Sequence, residues 1–250
     1  MKIRVGLTEI GVNLPDMAAL QAAVGDRLAR GEGFALATLN LDHLVKLRHD
    51  QAFRAAYVRQ DLITADGNPI VWMARLAGDP LTVLPGSDLI LPLLRLAAQA
   101  GVGVGLVGST DVSLAGAADA LRRAVPDLRI VALIAPPMGF QPDGAAADAV
   151  LDQLAAQDVR LCLLALGAPK QEVFAARGRL RTPGIGFASI GAGLDFLSGQ
   201  QARAPVWVRR LALEWLWRLL SDPRRLALRY LRCAAILPGH LLAAWRQRVG

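Results

Sequence analysis

The sequence predicts an α/β protein, with a mainly parallel sheet, helices on both of its faces, and a helical appendage at the C-terminus. Short apolar runs alternate with stretches of helical periodicity. These runs are nearly continuous, as in strands that are buried on both faces. After Gly199 only helical patterns remain. We therefore divide the 250 residues into a body, residues 1–202, and an appendage, residues 203–250.

Six strands are predicted in the body. They are FALATLN (34–40), DLITADG (61–67), VGVGLVG (102–108), LRIVALI (128–134), VRLCLLALG (159–167) and IGFASIGAG (185–193). A helix precedes the first strand, because Leu20, Val24 and Leu28 recur at helical spacing and Gly31 is a suitable C-cap. Further helices are predicted over 41–60, 68–78, 87–101, 109–125, 144–157 and 169–181.

The appendage is predicted to contain two helices, over 200–220 and 224–237. Ser221 and Asp222 offer an N-cap for the second helix, and Pro223 suits its first position. Pro238 and Gly239 are predicted to end it.

The positive charge of the chain lies in the appendage. Residues 203–250 carry ten arginines against Glu214 and Asp222, whereas the body is nearly neutral. Apolar and aromatic side chains are interleaved with these arginines, so the segment is expected to bind an anionic membrane surface. Three roles remain open for Trp207, Trp215 and Trp217: membrane anchoring, a subunit contact in a homo-oligomer, or packing against the core.

Other features limit the class of protein. The N-terminus lacks the apolar stretch of a signal peptide, and no uncharged run has the about 20 residues that span a bilayer. Two cysteines do not make a disulfide framework, and Cys162 is expected in the core. The basic residues are not arranged as a nucleic-acid-binding stripe. We expect a cytoplasmic protein that attaches peripherally to the inner membrane.

Polar residues follow the ends of several predicted strands. Thr38 and Asn40 close the first strand, Asp66 closes the second, and Gly108 closes the third. Gln171 follows the fifth strand, and Asp195 follows the sixth. In open parallel sheets ligands bind beyond the carboxyl ends of the strands, so these residues form the candidate site.

Several common sites are not supported. GVGLVG (103–108) matches a dinucleotide fingerprint, but its glycines lie inside a predicted strand rather than in the turn after it. The chain has no P-loop motif. The histidines His43, His49 and His240 are not spaced as a metal site or a Ser-His-Asp triad, so a carboxylate is the best-placed general base.

The motifs as a set resemble a known family. TLN (38–40), ADG (65–67), GSDL (86–89), GAPKQE (167–172), GAGLDFLSG (191–199), RAP (203–205) and LEWLWRL (213–219) occur in the order found in the TagA/WecG/CpsF glycosyltransferases. The resemblance covers residues 30–232. It implies a Rossmann-like catalytic domain over 1–202 and an appendage that closes the active site and contacts the membrane.

The resemblance also implies the reaction. Members of the family transfer a sugar from a UDP-sugar to a polyprenyl-diphosphate-linked saccharide, with inversion and without a required metal or other cofactor. The sugar is expected to be of the N-acetylmannosamine type, its uronic acid, or a hexose, for a cell-surface polysaccharide. Such an enzyme needs the membrane surface and the lipid-linked acceptor as partners, and no nucleic acid.

Residue roles are carried over by motif. Asp66 matches the proposed catalytic base, and Thr38 and Asn40 match the nucleotide-sugar pocket. Gln171 matches a residue near the transferred sugar, and Asp195 matches the acidic residue of the family's FDF-like element. Gly108 joins the substrate-binding set because its backbone N–H could meet a phosphate or ribose.

Four arginines complete the substrate-binding set. Arg218 and Arg225 match family arginines that reach the diphosphate of the donor, and Arg203 belongs to the RAP motif. Arg229 shares a helical face with Arg225 and Arg232. Two alternatives stay open at this point: an NAD(P)-dependent oxidoreductase, and a non-enzymatic cationic module that binds membranes.

Overall fold

The computed structural model describes residues 1–197, 205, 208 and 214–249, without the side chains of 195, 196, 214, 218, 225 and 249. It begins with an antiparallel hairpin of β1 (Lys2–Val5) and β2 (Thr8–Gly11). The sequence analysis did not predict this hairpin. Each strand has four residues and too few alternating apolar positions to be distinguished from a loop.

The six predicted strands are confirmed. They are β3 (Phe34–Leu39), β4 (Leu62–Ala65), β5 (Gly103–Gly108), β6 (Ile130–Ile134), β7 (Val159–Ala165) and β8 (Gly186–Ser189). They form one sheet in the order β4-β3-β8-β7-β5-β6, and every pairing in it is parallel. The carboxyl ends of all six strands therefore meet at one edge, here called the carboxyl edge.

Helices cover both faces of the sheet. In the body they are α1 (Met17–Arg30), α2 (Leu41–His49), α3 (Gln51–Val58), α4 (Asn68–Ala77), α5 (Gly86–Gln99), α6 (Asp111–Ala124), α7 (Ala145–Ala156), α8 (Lys170–Arg181) and α9 (Gly193–Leu197). Gly31 ends α1 in the left-handed conformation, as predicted. The described part of the appendage contains α10 (Glu214–Ser221) and α11 (Pro223–Val249).

Alternate residues of the strands divide the core between the two faces. On β3, Leu36 faces the core formed with α1, α5 and α6, whereas Ala35 and Ala37 face the opposite side. That side contains α2, α3, α4 and α11 at one end of the sheet and α7 and α8 at the other. Cys162 is fully buried there, and burial raises the pKa of its thiol, as expected for a core residue.

The single helix predicted over 41–60 is wrong, because the chain breaks at Asp50. The backbone of Asp50 is extended, and its carboxylate accepts a hydrogen bond from the Phe53 N–H (2.8 Å). Asp50 therefore caps a new helix, α3. This turn lets α3 pack against α8 while α2 packs against α11.

The predicted end of the last helix is also wrong. α11 begins at Pro223, as predicted, but continues through Pro238 and Gly239 to Val249. Both residues are exposed, while His240 and Ala244 beyond them are buried. Tertiary packing beyond the proline thus outweighs the loss of its helical hydrogen bond.

α11 lies along α2 and α4 from the carboxyl edge to the hairpin. Arg229 contacts Asp42 in the first turn of α2, and Arg48 in the last turn of α2 contacts His240 (3.1 Å). Near the end of α11, the side chain of Gln247 donates to the carbonyl of Lys2 (3.1 Å). Because Asp42 follows β3 closely, the N-terminal turns of α11 lie beside the ends of β3 and β4.

Candidate active site

The centre of the candidate site is a pair of side chains at the ends of β3 and β4. Asn40 Nδ2 donates to Asp66 Oδ2 (3.1 Å), and Asn40 Oδ1 accepts from the His43 N–H (2.9 Å). Asn40 is therefore the N-cap of α2 and a partner of Asp66 at the same time. The pairing of β3 with β4 aligns Leu39 with Ala65, which brings the two following residues together.

The backbone of Asp66 is fixed by a hydrogen bond, and the residue remains partly exposed. Its N–H donates to the Leu39 carbonyl (2.8 Å), which ties it to the end of β3. Gly67 follows at φ +101°, a backbone conformation that residues other than glycine rarely adopt, and α4 starts directly after it. A partly exposed carboxylate on a fixed strand end can accept a proton from a bound hydroxyl group.

A buried chain of hydrogen bonds between neutral groups supports this pair. The Tyr57 hydroxyl donates to the Thr38 carbonyl (3.0 Å), and His43 Nδ1 lies 3.0 Å from the same hydroxyl oxygen. Burial, aided by the Lys46 charge, lowers the pKa of His43 to about 3, so the ring is neutral. Because the Tyr57 hydroxyl proton is used on Thr38, we assign the His43 proton to Nδ1, which then donates to Tyr57. Burial and the charges of Glu172 and Asp66 raise the pKa of Tyr57. Thr38 itself is buried, and its backbone is fixed by this chain.

Gln171 lies at the β7–β8 part of the edge, in the first turn of α8. Its Nε2 donates to Glu172 Oε1 (2.8 Å), and its Oε1 accepts from the Gly191 N–H (3.1 Å). Gln171 thus connects α8 to the loop that follows β8. Both side chains are buried, and burial raises the pKa of Glu172 to about 7.

Gly108 ends β5 at the same edge. A Cβ atom there would lie 2.4 Å from the Ala165 carbonyl oxygen, and φ is +118°, so only glycine fits. Gly103 and Gly105 lie inside β5, where a Cβ would meet the Asp158 carbonyl (2.5 Å) or the Leu154 side chain (2.9 Å). The glycines of GVGLVG therefore serve strand packing, which removes the basis of the oxidoreductase alternative.

A second charged cluster lies where α11 meets α2. Asp42 accepts from Arg229 Nε (3.2 Å) through one oxygen and from Lys46 Nζ (2.9 Å) through the other. Lys46 also donates to the Ala168 carbonyl (3.2 Å), in the loop between β7 and α8. One acidic residue therefore joins the appendage, α2 and the GAPK segment.

The structure locates only some of the predicted site residues. Thr38, Asn40, Asp66, Gly108 and Gln171 all lie at the carboxyl edge, and Arg229 lies near it. The backbones of Asp195, Arg218 and Arg225 are in α9, α10 and α11, but their side chains are outside the described atoms. Arg203 lies outside the described residues.

The sequence analysis did not assign site roles to Asp42, His43, Tyr57 or Glu172. Two sequence signals could have indicated such roles. Asp42 lies two residues after a capping Asn, and Glu172 is next to Gln171. Their partners are distant in the sequence, so the contacts themselves were not predictable.

The described residues contain neither a cluster of metal ligands nor a membrane-spanning helix. In residues 1–197 and 214–249, no three His, Cys, Asp or Glu side chains come together as potential metal ligands. In the same part of the chain, no helix combines the length and the apolar character needed to cross a membrane.

Comparisons with known proteins agree with the motifs. A family model described as "Glycosyl transferase WecG/TagA/CpsF family" matches residues 5–250. An N-acetylglucosaminyldiphosphoundecaprenol N-acetyl-beta-D-mannosaminyltransferase from Bacillus spizizenii is 30% identical over 201 residues, which cover 79% of this chain and 75% of that protein. The family model includes both the carboxyl-edge motifs and the appendage.

Proposed function

Since this chain belongs to the WecG/TagA/CpsF glycosyltransferase family, we propose that it transfers an N-acetylmannosamine-type sugar from a UDP-sugar to a polyprenyl-diphosphate-linked saccharide. The Bacillus spizizenii relative is named for N-acetylmannosaminyl transfer to N-acetylglucosaminyldiphosphoundecaprenol, which supports both the sugar and the acceptor. The structural observation that carries the proposal is the Asn40–Asp66 pair at the ends of two adjacent strands.

Asp66 is the general base in this proposal. Its partly exposed carboxylate accepts the proton of the acceptor hydroxyl while that oxygen attacks the anomeric carbon of the donor. The bond between the anomeric carbon and the diphosphate oxygen breaks, and UDP leaves from the opposite face. A single displacement of this kind inverts the anomeric centre. The hydrogen bond from Asn40 orients the carboxylate and stabilises its charged form.

The negative charge of the leaving UDP requires compensation. We assign this role to arginines of the appendage, without a metal ion, because guanidinium groups bind diphosphate through charged, bidentate hydrogen bonds. Arg229 is already near the carboxyl edge through Asp42. Arg225 precedes it by one helical turn, and Arg218 is in α10.

The appendage is also the proposed membrane contact. α11 carries six arginines and no acidic residue. Its Leu226 and Cys233 face the body, while Leu228, Leu231 and Leu242 are exposed on the other side. A helix that combines exposed leucines with a net positive charge fits an anionic lipid surface. Such binding would bring the active site to a lipid-linked acceptor at the cytoplasmic face of the inner membrane.

A donor screen tests the reaction. The protein is incubated with a polyprenyl-diphosphate N-acetylglucosamine acceptor and separate UDP-sugars, with and without EDTA. We expect transfer from UDP-N-acetylmannosamine, unchanged by EDTA, and a product of inverted anomeric configuration by NMR. No transfer from any UDP-sugar, or retention of configuration, would contradict the proposal.

Vesicle flotation tests the membrane contact. The triple variant Leu228→Gln, Leu231→Gln, Leu242→Gln is compared with Val112→Gln, Leu180→Gln, which changes exposed apolar residues on α6 and α8. We expect only the α11 variant to lose binding to vesicles that contain anionic lipid. Equal flotation of both variants would exclude the exposed face of α11 as the contact.

A further inference from the structure

Glu172 has an unusual environment for a carboxylate. The side chain is fully buried, and Oε1 accepts one hydrogen bond, from Gln171 Nε2 (2.8 Å). No described residue donates to Oε2. The Lys46 charge favours ionised Glu172, but the Lys46 ammonium group is already bonded to Asp42 and to the Ala168 carbonyl. The backbone N–H of Glu172 also favours the ionised form, but burial has the larger effect. A buried carboxylate with one oxygen that lacks a donor is costly, whereas a carboxylic acid can itself donate from that oxygen.

A second buried acceptor belongs to Gln60, whose side chain is hydrogen-bonded to the Glu172 backbone. Gln60 Nε2 donates to the backbone carbonyl of Glu172 (3.1 Å) and to that of Ala56 (2.9 Å), which fixes the Gln60 amide next to Glu172. Gln60 Oε1 is buried and receives no hydrogen bond from the described residues. A proton on Glu172 would turn its unpartnered oxygen from a buried acceptor into a donor.

The orientation of Gln171 depends on this neighbour. Because Glu172 Oε1 accepts, the NH₂ end of the Gln171 amide must face it. The carbonyl end then accepts from the Gly191 N–H (3.1 Å). A flipped amide would place its oxygen against the Glu172 acceptor and its NH₂ group against the Gly191 donor, so both hydrogen bonds would be lost. Among the described residues, these two bonds use one N–H and one lone pair of the Gln171 amide.

We propose that Glu172 is a positioning residue of the active site: as a neutral carboxylic acid, it fixes the side-chain amide of Gln171 and, through it, the loop after β8. The inference rests on the proposed function for its activity test.

The charges around Glu172 fit this assignment. Lys46 on α2 and Tyr57 on α3 face it, with neutral His43 behind Tyr57. Tyr57 experiences the charges of both Glu172 and Asp66. A neutral Glu172 keeps a second negative charge away from Asp66, so that one carboxyl group positions while the other can act as base.

The test compares Glu172→Gln with Glu172→Met. Glutamine reproduces a protonated glutamate, with one acceptor and one donor, whereas methionine fills the space without hydrogen bonds. At pH 6 we expect Glu172→Gln to transfer sugar within about threefold of wild type. We expect Glu172→Met to lose about tenfold or more in kcat, with a smaller change in KM for the donor. Equal losses in both variants would overturn the proposal.

A substrate-free measurement separates this inference from the proposed function. Burial raises the pKa of Glu172 from 4.5 to about 7, so its contribution to stability is complete below pH 4.5 and is lost as the pH rises through 7. Thermal unfolding from pH 5 to 8 should therefore show wild type losing stability relative to Glu172→Gln. The exposed Glu32→Gln is the control. Parallel curves for wild type and Glu172→Gln would overturn the proposal even if the enzyme transfers sugar as expected.

Discussion

The two ends of the candidate site treat a carboxyl group in opposite ways. At the β3–β4 end, Asp66 is partly exposed and accepts a hydrogen bond from Asn40. At the β7–β8 end, Glu172 is fully buried, and one of its oxygens has no described donor. Exposure and a donor favour the charged form, and burial favours the neutral form. The same functional group can therefore serve as a base at one end and as a fixed neutral support at the other.

The most direct way to break this comparison is to remove the charge of the first carboxyl group. Asp66→Asn keeps the shape and the acceptor for Asn40 but cannot take a proton. We expect sugar transfer to fall by about a thousandfold, while UDP binding measured by calorimetry stays within about twofold. Asp119→Asn, at an exposed residue of α6, is the control. Substantial transfer by Asp66→Asn would mean that another group is the base.

The two roles of Asn40 can be separated. Asn40→Ser retains an oxygen that can cap α2 but does not reach Asp66, whereas Asn40→Ala loses both contacts. We expect transfer to slow by about tenfold in both variants. The free energy of unfolding should fall by about 1 kcal/mol only in Asn40→Ala. Wild-type activity in Asn40→Ser would show that the hydrogen bond to Asp66 has no catalytic role.

A change at Asp42 tests how the appendage is held near this end of the site. Asp42→Asn removes the negative charge shared by Arg229 and Lys46. We expect kcat/KM for the UDP-sugar to fall about three- to tenfold at low ionic strength and less at high ionic strength, because Arg229 is partly exposed. Asp152→Asn, which breaks an exposed pair with Arg181 on the other half of the sheet, should have no effect.

The smallest expected effect on catalysis comes from a change at Tyr57, which is buried beneath the Asn40–Asp66 pair and bonded to Thr38. Tyr57→Phe leaves the Thr38 carbonyl without its donor and the His43 N–H without its acceptor. We expect the free energy of unfolding to fall by about 2 kcal/mol in urea denaturation, with transfer within about threefold of wild type. A large loss of transfer without a loss of stability would make Tyr57 part of the reaction rather than of its support.

Sequence reasoning predicted the parts of this fold that depend on local pattern. The six strands are continuous apolar runs, and the polar residues after them fall at one edge because all strands are parallel. It failed where a local signal was weak or was overridden. The hairpin strands are too short, Asp50 caps a new helix inside an apolar periodic stretch, and Pro238 is exposed on a helix that packs beyond it.

The site shows the same division. Asn40, Asp66 and Gln171 were predictable because each follows a strand end or carries a family motif. Their partners were not. Asp42 and Arg229 come from opposite parts of the chain, and the buried environment of Glu172 is created by α3 and α8 together. Charge states that depend on burial require the tertiary structure.

The docking of α11 has a consequence for synthesis on the ribosome. Ile236, Leu241 and Ala244 complete a core whose other members include Ile3, Leu44 and Val71. These partners leave the ribosomal tunnel long before α11 does, so a nascent chain displays an uncovered apolar surface until its last turns emerge. Translational arrest near residue 220 would leave this apolar surface exposed, and a chaperone could bind it. In a chain that contains α11, the helix covers the same surface.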